Sequence, residues 1–368
     1  MQVKVDKQTN GIEKGAPQTP DPPSSRTSRL RIPRLGPQVY LVLVFVLVAG
    51  VGASTSEHFF TARNIENILV AASVVAVLGV AQFLVVVTRG IDLSVGSVAA
   101  LSTVVAAVLL QRGHGVVVAI VVPLIVCALA GYINGVLVVH ARIAPFVTTL
   151  AMMSIARGGA FIIQVGTLIV ISNTTFLHIF GGETASIPNS VLIALVVTLL
   201  AAFVMKYAPV GRRLYALGGN PEAARLSGLP VKRDQVLAYT FSGVLAGLAG
   251  LMLAGRLSQG SSLIGQGYEL DSIAATVVGG TSLLGGTGDP ISTVLGALVI
   301  GMIGNIMNLI GIQSEPQLVI RGIVILLAVF LTSGGGISRI RGIFTKVWTL
   351  LRPKRVTPVV SQESDDQR

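Results

Sequence analysis

Twice in this chain an aspartate and hydroxyl side chains sit among glycines, between long apolar runs. The first place is Thr88 to Ser97, TRGIDLSVGS, where Gly90, Asp92, Ser94 and Gly96 interrupt otherwise continuous apolar sequence. The second is Gly279 to Pro290, GGTSLLGGTGDP, with Thr281, Ser282 and Asp289. Such segments suit a broken helix or a re-entrant hairpin lining a cavity, because irregular backbone survives between apolar helices only where protein or water satisfies it. They also suit a plain tight turn, the simpler reading for Asp289 beside Pro290. Phosphate chemistry is excluded at Gly285 to Gly288: a phosphate-binding loop needs Gly-Lys-Ser/Thr at a helix start, and Asp289-Pro290 stands there. His58, His114, His140 and His178 are widely separated, and Cys127 is the sole cysteine. No metal cluster, disulfide or catalytic constellation follows from them.

Single polar residues also stand inside apolar runs: Gln82, Asn134, Arg157, Asn305, Asn308 and Arg321. An intramembrane arginine costs about 2.5 to 3.5 kcal/mol even on an insertion scale, so it faces a partner or water. A transport pathway is one reading, and hydrogen bonds between neighbouring helices are the other.

A different kind of chemistry is written in Tyr215 to Pro230, YALGGNPEAARLSGLP. Asn220 before Pro221 and Glu222 is a helix cap followed by proline at the first helical position, and Gly228-Leu229-Pro230 is a stop. One short helix in a water-exposed loop is expected.

The elements that must hold these residues are membrane helices. Of 368 residues 52% are hydrophobic and 12% charged, against about 25% charged in a soluble domain. The apolar residues come in uncharged runs of about twenty, the length that crosses a bilayer as a helix, and the alternation of a membrane barrel is absent. Expected spans are 38–54, 68–88, 93–111, 116–139, 145–164, 188–205, 235–255, a short one at 270–284, 290–311 and 316–332. The fold class is an all-α polytopic membrane protein of about ten crossings with both termini on one side. Residues 1–37, rich in proline and serine, are expected as a disordered basic tail, and residues 334–368 as a second basic tail.

The net charge of +11 points to topology, because the basic residues are scattered and form no stripe for nucleic acid. With both tails in the cytoplasm, that side receives seven Lys or Arg from the first tail, one each at Arg89 and Arg142, six from 206–233 and seven from the last tail, 22 of the 27. The positive-inside rule therefore places the loop 206–234 in the cytoplasm.

Three stretches, TRGIDLSVGS at Thr88 to Ser97, GRRLYALGGNPEAARLSGLPV at Gly211 to Val231 and GYELDSIAATVVGGTSLLGG at Gly267 to Gly286, closely resemble the ribose-type sugar permeases of bacterial ABC importers, in the branched-chain amino acid/ribose/xylose permease family. The likeness runs from about Phe59 to Leu331. It implies an inner-membrane permease with no enzyme activity of its own, paired with a second permease copy or paralogue. It also implies a cytoplasmic ABC ATPase that uses ATP and Mg, and a periplasmic sugar-binding protein. On that likeness Gly219, Asn220, Glu222, Ala223, Arg225 and Gly228 form the coupling helix to the ATPase. Asp92, Ser94, Thr281, Ser282, Asn305 and Asn308 are the translocation-pathway candidates for a monosaccharide or polyol. Permeases for nucleosides or branched-chain amino acids, and an ion-coupled secondary carrier, are the alternatives.

Overall fold

The computed structural model describes residues 37–332, and the two expected tails lie outside them. The chain begins with α1 (Pro37–Thr55), α2 (Ala62–Val86), α3 (Val95–Gln111), α4 (Val116–Val139) and α5 (Pro145–Gln164). A short excursion follows: β1 (Ile169–Val170), α6 (Thr174–Gly181), β2 (Glu183–Thr184) and β3 (Ile187–Pro188). Then come α7 (Asn189–Tyr207), α8 (Pro209–Gly219), α9 (Pro221–Leu226), α10 (Val231–Leu257), β4 (Gln259–Gly260), α11 (Tyr268–Val278), α12 (Pro290–Leu309) and α13 (Ser314–Thr332). The strands are two-residue antiparallel pairs, β1 with β4 and β2 with β3.

Every expected span falls on a helix. Among the described residues six are long and apolar enough to cross a membrane: α2, α4, α5, α7, α10 and α12. The short span expected at 270–284 is shorter still. Helix α11 has 11 residues, a rise of about 16 Å against a hydrocarbon core of about 30 Å. It gives way at Gly279 to a loop in which Gly280, Gly285, Gly286 and Gly288 all have positive φ.

Helix α2 is the axis of the bundle. Its residues from Ala72 to Val86 are buried except Leu84, and it packs against α7, α10, α11 and α12. A helix apolar on every side has no solvent face to present, so it belongs inside a bundle. The outward surfaces of α4, α5 and α7 expose Ile125, Leu129, Ile155, Ile162, Leu199 and Phe203, a surface that suits hydrocarbon.

Close packing inside the bundle rests on small residues, which let helix backbones approach where lipid supplies no hydrophobic drive. At the α4–α10 crossing a Cβ on Gly243 would lie 3.0 Å from the Gly131 amide nitrogen and closer still to the Cys127 carbonyl oxygen. Gly304 on α12, by contrast, faces open space.

Cys127 is fully buried, so its reaction with a thiol-reactive dye reports unfolding. Gly243→Leu is expected to lower the detergent-solubilised unfolding temperature read by that dye, by an overpacking cost of about 1–3 kcal/mol. Gly304→Ala should leave it within error of the parent protein.

Candidate functional site

Polar side chains gather at two ends of the bundle. The first end holds the chain break between α2 and α3, the α8–α9 segment and the 279–289 loop. The break is a question of backbone accounting, because peptide groups at membrane depth need partners inside the protein. Gly90 N–H donates to the Val85 carbonyl at 3.0 Å, and the Thr149 hydroxyl from α5 donates to the Ile91 carbonyl at 3.1 Å. Gln82, with its amide nitrogen turned to the Asp92 carbonyl, donates to it at 2.9 Å and accepts from the Asp92 N–H at 3.2 Å.

The Asp92 carboxylate is buried and ties three elements. One oxygen accepts from the Ser94 amide at 2.9 Å and the Ser94 hydroxyl at 2.6 Å, and the other accepts from the Ser242 hydroxyl of α10 at 3.0 Å. Ser94 in turn accepts from Asn134 Nδ2 of α4 at 3.0 Å. The connection between α2 and α3 is therefore closed on protein partners, with its polar atoms turned onto them.

Arg89, one residue before Gly90, has φ +68, a left-handed conformation that is uncommon for a residue with a side chain. That backbone aims its guanidinium at the end of α8. Nε donates to the Gly218 carbonyl and Nη2 to the Gly219 carbonyl, both at 2.6 Å. These are last-turn carbonyls without intrahelical partners, where a cation is also favoured by the helix dipole. Gly286 completes the joint: its N–H donates to the Val87 carbonyl at 2.9 Å, and its backbone packs on Gly218 and Gly219. Tyr215 adds a hydrogen bond to the Gly288 carbonyl at 2.9 Å, and Arg213 grips Asp234 of α10 through two bonds, of 2.5 and 3.1 Å.

The short helix expected in this segment is α9. Helix α8 lies before it, and Asn220 separates α8 from α9, its side chain accepting from the Ala223 N–H at 3.0 Å. Gly228, at φ +76, closes α9. Leu229 N–H bonds the Ala224 carbonyl and Gly228 N–H the Arg225 carbonyl, which is the paired Schellman ending. Glu222 and Arg225 are both 65% exposed and bond each other at 2.5 and 3.1 Å. The Arg225 hydrogen bond holds the Glu222 carboxyl below its usual range. In the 279–289 loop Thr281 is buried without a partner for its hydroxyl, and Ser282 Oγ accepts from the Leu284 amide at 3.2 Å. Asp289 caps α12, accepting from Ser292 N–H at 2.8 Å, a helix start where the sequence reading favoured a plain tight turn.

The opposite end holds a cavity of about 440 Å³ between α2, α11, α12 and α13. Asn305 and Asn308 line it, whereas Asp92, Ser94, Thr281 and Ser282 do not. Asn64 and Asn305 exchange hydrogen bonds at 3.0 and 2.8 Å, Gln317 donates to Asn308 at 2.9 Å, and Arg321 pairs with Asp271 at 2.8 Å. The structure divides the six pathway candidates between two ends. It also adds residues that sequence reasoning passed over: Arg89 was counted only as a topology charge, and the partner of Arg321 was not foreseen.

A family model described as branched-chain amino acid transport system / permease component matches residues 64–329. The chain is 40% identical to the ribose import permease protein RbsC of Escherichia coli K12, over 79% of this chain and 92% of that protein. It is 37% identical to the D-allose transport system permease protein AlsC of the same strain, over 78% and 89%. It is 35% identical to the L-arabinose ABC transporter permease protein AraH of Azospirillum brasilense, over 78% and 85%. No solved structure matches the chain.

Asp92→Ala would leave buried Ser94 and Ser242 donors without their acceptor, at about 1–3 kcal/mol for each unsatisfied group. The expected result is a fall in the Cys127-reported unfolding temperature larger than that of Ser242→Ala, which removes one donor from the carboxylate and leaves it the two from Ser94. Equal unfolding temperatures for Asp92→Ala and the parent would show that the carboxylate does not hold the break.

Proposed function

Because the chain belongs to the family of branched-chain amino acid transport system permease components, we propose that it is the membrane-spanning subunit of an ATP-driven importer for a monosaccharide. The names of the three relatives given above, permeases for ribose, D-allose and L-arabinose, supply the substrate class. The bundle makes ten crossings with both tails in the bacterial cytoplasm, α11 and its glycine loop together completing one of them. The break and the α8–α9 segment then face inward, and the cavity faces outward.

The observation that carries the mechanism is the joint at Arg89. A cytoplasmic ATPase that binds ATP and Mg docks on α9, a short helix capped at both ends and therefore stiff. Closure of the ATPase displaces α9 and with it α8. Arg89 and Gly286 pass that displacement to the α2–α3 break and, through the 279–289 loop, to α11. Helix α11 carries Asp271 into the outer cavity, so a movement begun at α9 ends among the groups that line the pathway. Asn305 and Asn308 are pathway residues in this scheme. Asp92, Ser94, Thr281 and Ser282 hold the breaks in shape. A periplasmic binding protein delivers the sugar, and a second permease, a copy or a paralogue, completes the channel.

Three measurements test this reading. A thiol reagent that cannot cross membranes should label Ser227→Cys only when applied from the cytoplasmic side; labelling from outside would overturn the orientation. Joint replacement of Glu222 and Arg225 by alanine should reduce the ATPase that co-purifies with the permease, since both charges are presented to solvent. Arg89→Ala should leave the ATPase bound while lowering sugar taken up per ATP hydrolysed in liposomes by about tenfold, the loss of about 1.4 kcal/mol of coupling. An importer that takes up leucine or a nucleoside, and no ribose, allose or arabinose, would replace the sugar with those solutes.

A further inference from the structure

We propose that the outer cavity is a binding subsite on the permease itself for a neutral, polyhydroxylated ligand, a monosaccharide in ring form. The proposal rests on the importer reading above and adds to it: the membrane subunit selects the sugar after delivery, in addition to passing it through.

The cavity has the dimensions for this. Its volume of about 440 Å³ falls in the range of roughly 300 to 1,000 Å³ typical of small-molecule sites. It runs along α2 from Asn64 to Val75, a depth of roughly 16 Å at the helical rise, half the hydrocarbon thickness. Below Val75 the bundle closes. The Thr276 hydroxyl bonds the Gly79 carbonyl at 3.2 Å, and Gly296 lies so close to the Ala275 carbonyl that no side chain fits between. The cavity therefore does not continue along the bundle toward the chain break, and the exposed Asn67 and Arg256 stand at its rim.

The chemistry of the lining favours hydroxyls. A sugar hydroxyl both donates and accepts, and an amide side chain offers two donors and a carbonyl acceptor on one rigid plane. Asn64 and Gln317 spend both amide donors on Asn305, Asn308 and the Phe59 and Ile312 carbonyls, which leaves Asn305 with one Nδ2 donor and Asn308 with its Nδ2 group to offer a ligand. The one buried carboxylate of the cavity, Asp271, is paired with Arg321 at 2.8 Å, so the pair presents strong acceptors and donors with little net charge. A zwitterionic amino acid would need to break that pair to find a counter-charge for each end. The Tyr268 ring, also in the wall, supplies an apolar face for the C–H side of a sugar ring. Amides and an ion pair at this depth cost free energy when dry. A hydroxylated ligand repays that cost in the ligand-bound state.

The test is equilibrium binding of labelled D-ribose, D-allose and L-arabinose to the purified permease–ATPase complex with no binding protein present, alongside ATP-driven uptake by the same complex with its binding protein. The parent complex should retain at least one of the three sugars, and unlabelled L-leucine should not displace it. Asn305→Ala and Asn308→Ala should each weaken retention about tenfold; Asn308→Ala should leave the unfolding temperature read at Cys127 unchanged, while Asn305→Ala lowers it by stranding buried Asn64. A parent complex that imports sugar but retains none, or variants that retain it as the parent does, would overturn the subsite and leave the importer reading intact. Loss of retention accompanied by matching loss of thermal stability in both variants would also overturn it, assigning the amides to interhelix adhesion. Absence of uptake for every sugar, with uptake of leucine or a nucleoside, would sink the sugar reading itself.

Discussion

Irregular backbone inside a membrane protein has to be satisfied by protein, and this chain breaks its helical lattice at two places that satisfy each other. The break after α2 and the glycine loop after α11 meet at Val87, where Gly286 donates its amide, and both are fastened to the end of α8 by Arg89. Without partners, peptide groups in either break would cost several kcal/mol each in hydrocarbon. The breaks and the helix end are therefore stable only together, and the first end of the bundle is one interlocked unit of three segments distant in sequence.

That interlock gives the rest of the molecule its logic. Charged and amide groups are kept where a second polar partner holds them: Asp92 by Ser94 and Ser242, Asp234 by Arg213, Asp271 by Arg321. Between the two polar ends lies tight, small-residue packing of α2 and α12 against α11, with Ala275 close to both Gly79 and Gly296. Interfaces of this kind slide or stay in discrete arrangements because they do not deform continuously. Helix α11, about half a membrane long, is the element that reaches from the interlock to the cavity at the opposite end of the bundle.

Local chemistry was legible in the sequence, and distant pairing was not. The Asn220 cap, the Gly228 stop and the Asp289 cap each depend on residues within six positions, and each could be read from a short stretch. The breaks at 88–97 and 279–290 were visible as glycine and aspartate between apolar runs. What filled them was not, because Arg89 finds its acceptors 129 and 130 residues away and Asp92 finds Ser242 150 residues away. A single sequence carries no record of such partners. Periodicity likewise gave the helices but not their depth: α11 reads as a span because its glycine loop is also apolar, yet Gly279 and Gly280 end it after 11 residues. The pathway candidates were chosen by residue type, which does not say at which end of the bundle each one lies.

The central claim is that α9, α8 and the 279–289 loop move as one body. Distances between paired spin labels measure this directly, since buried Cys127 leaves introduced cysteines as the reactive ones. Labels at Ser227→Cys and Leu284→Cys, both exposed, would report within the unit, and labels at Leu284→Cys and Val165→Cys would report across the bundle. When a non-hydrolysable ATP analogue binds the assembled complex, the first distance should hold constant while the second shifts. A first distance that changes while the second stays fixed would contradict the account.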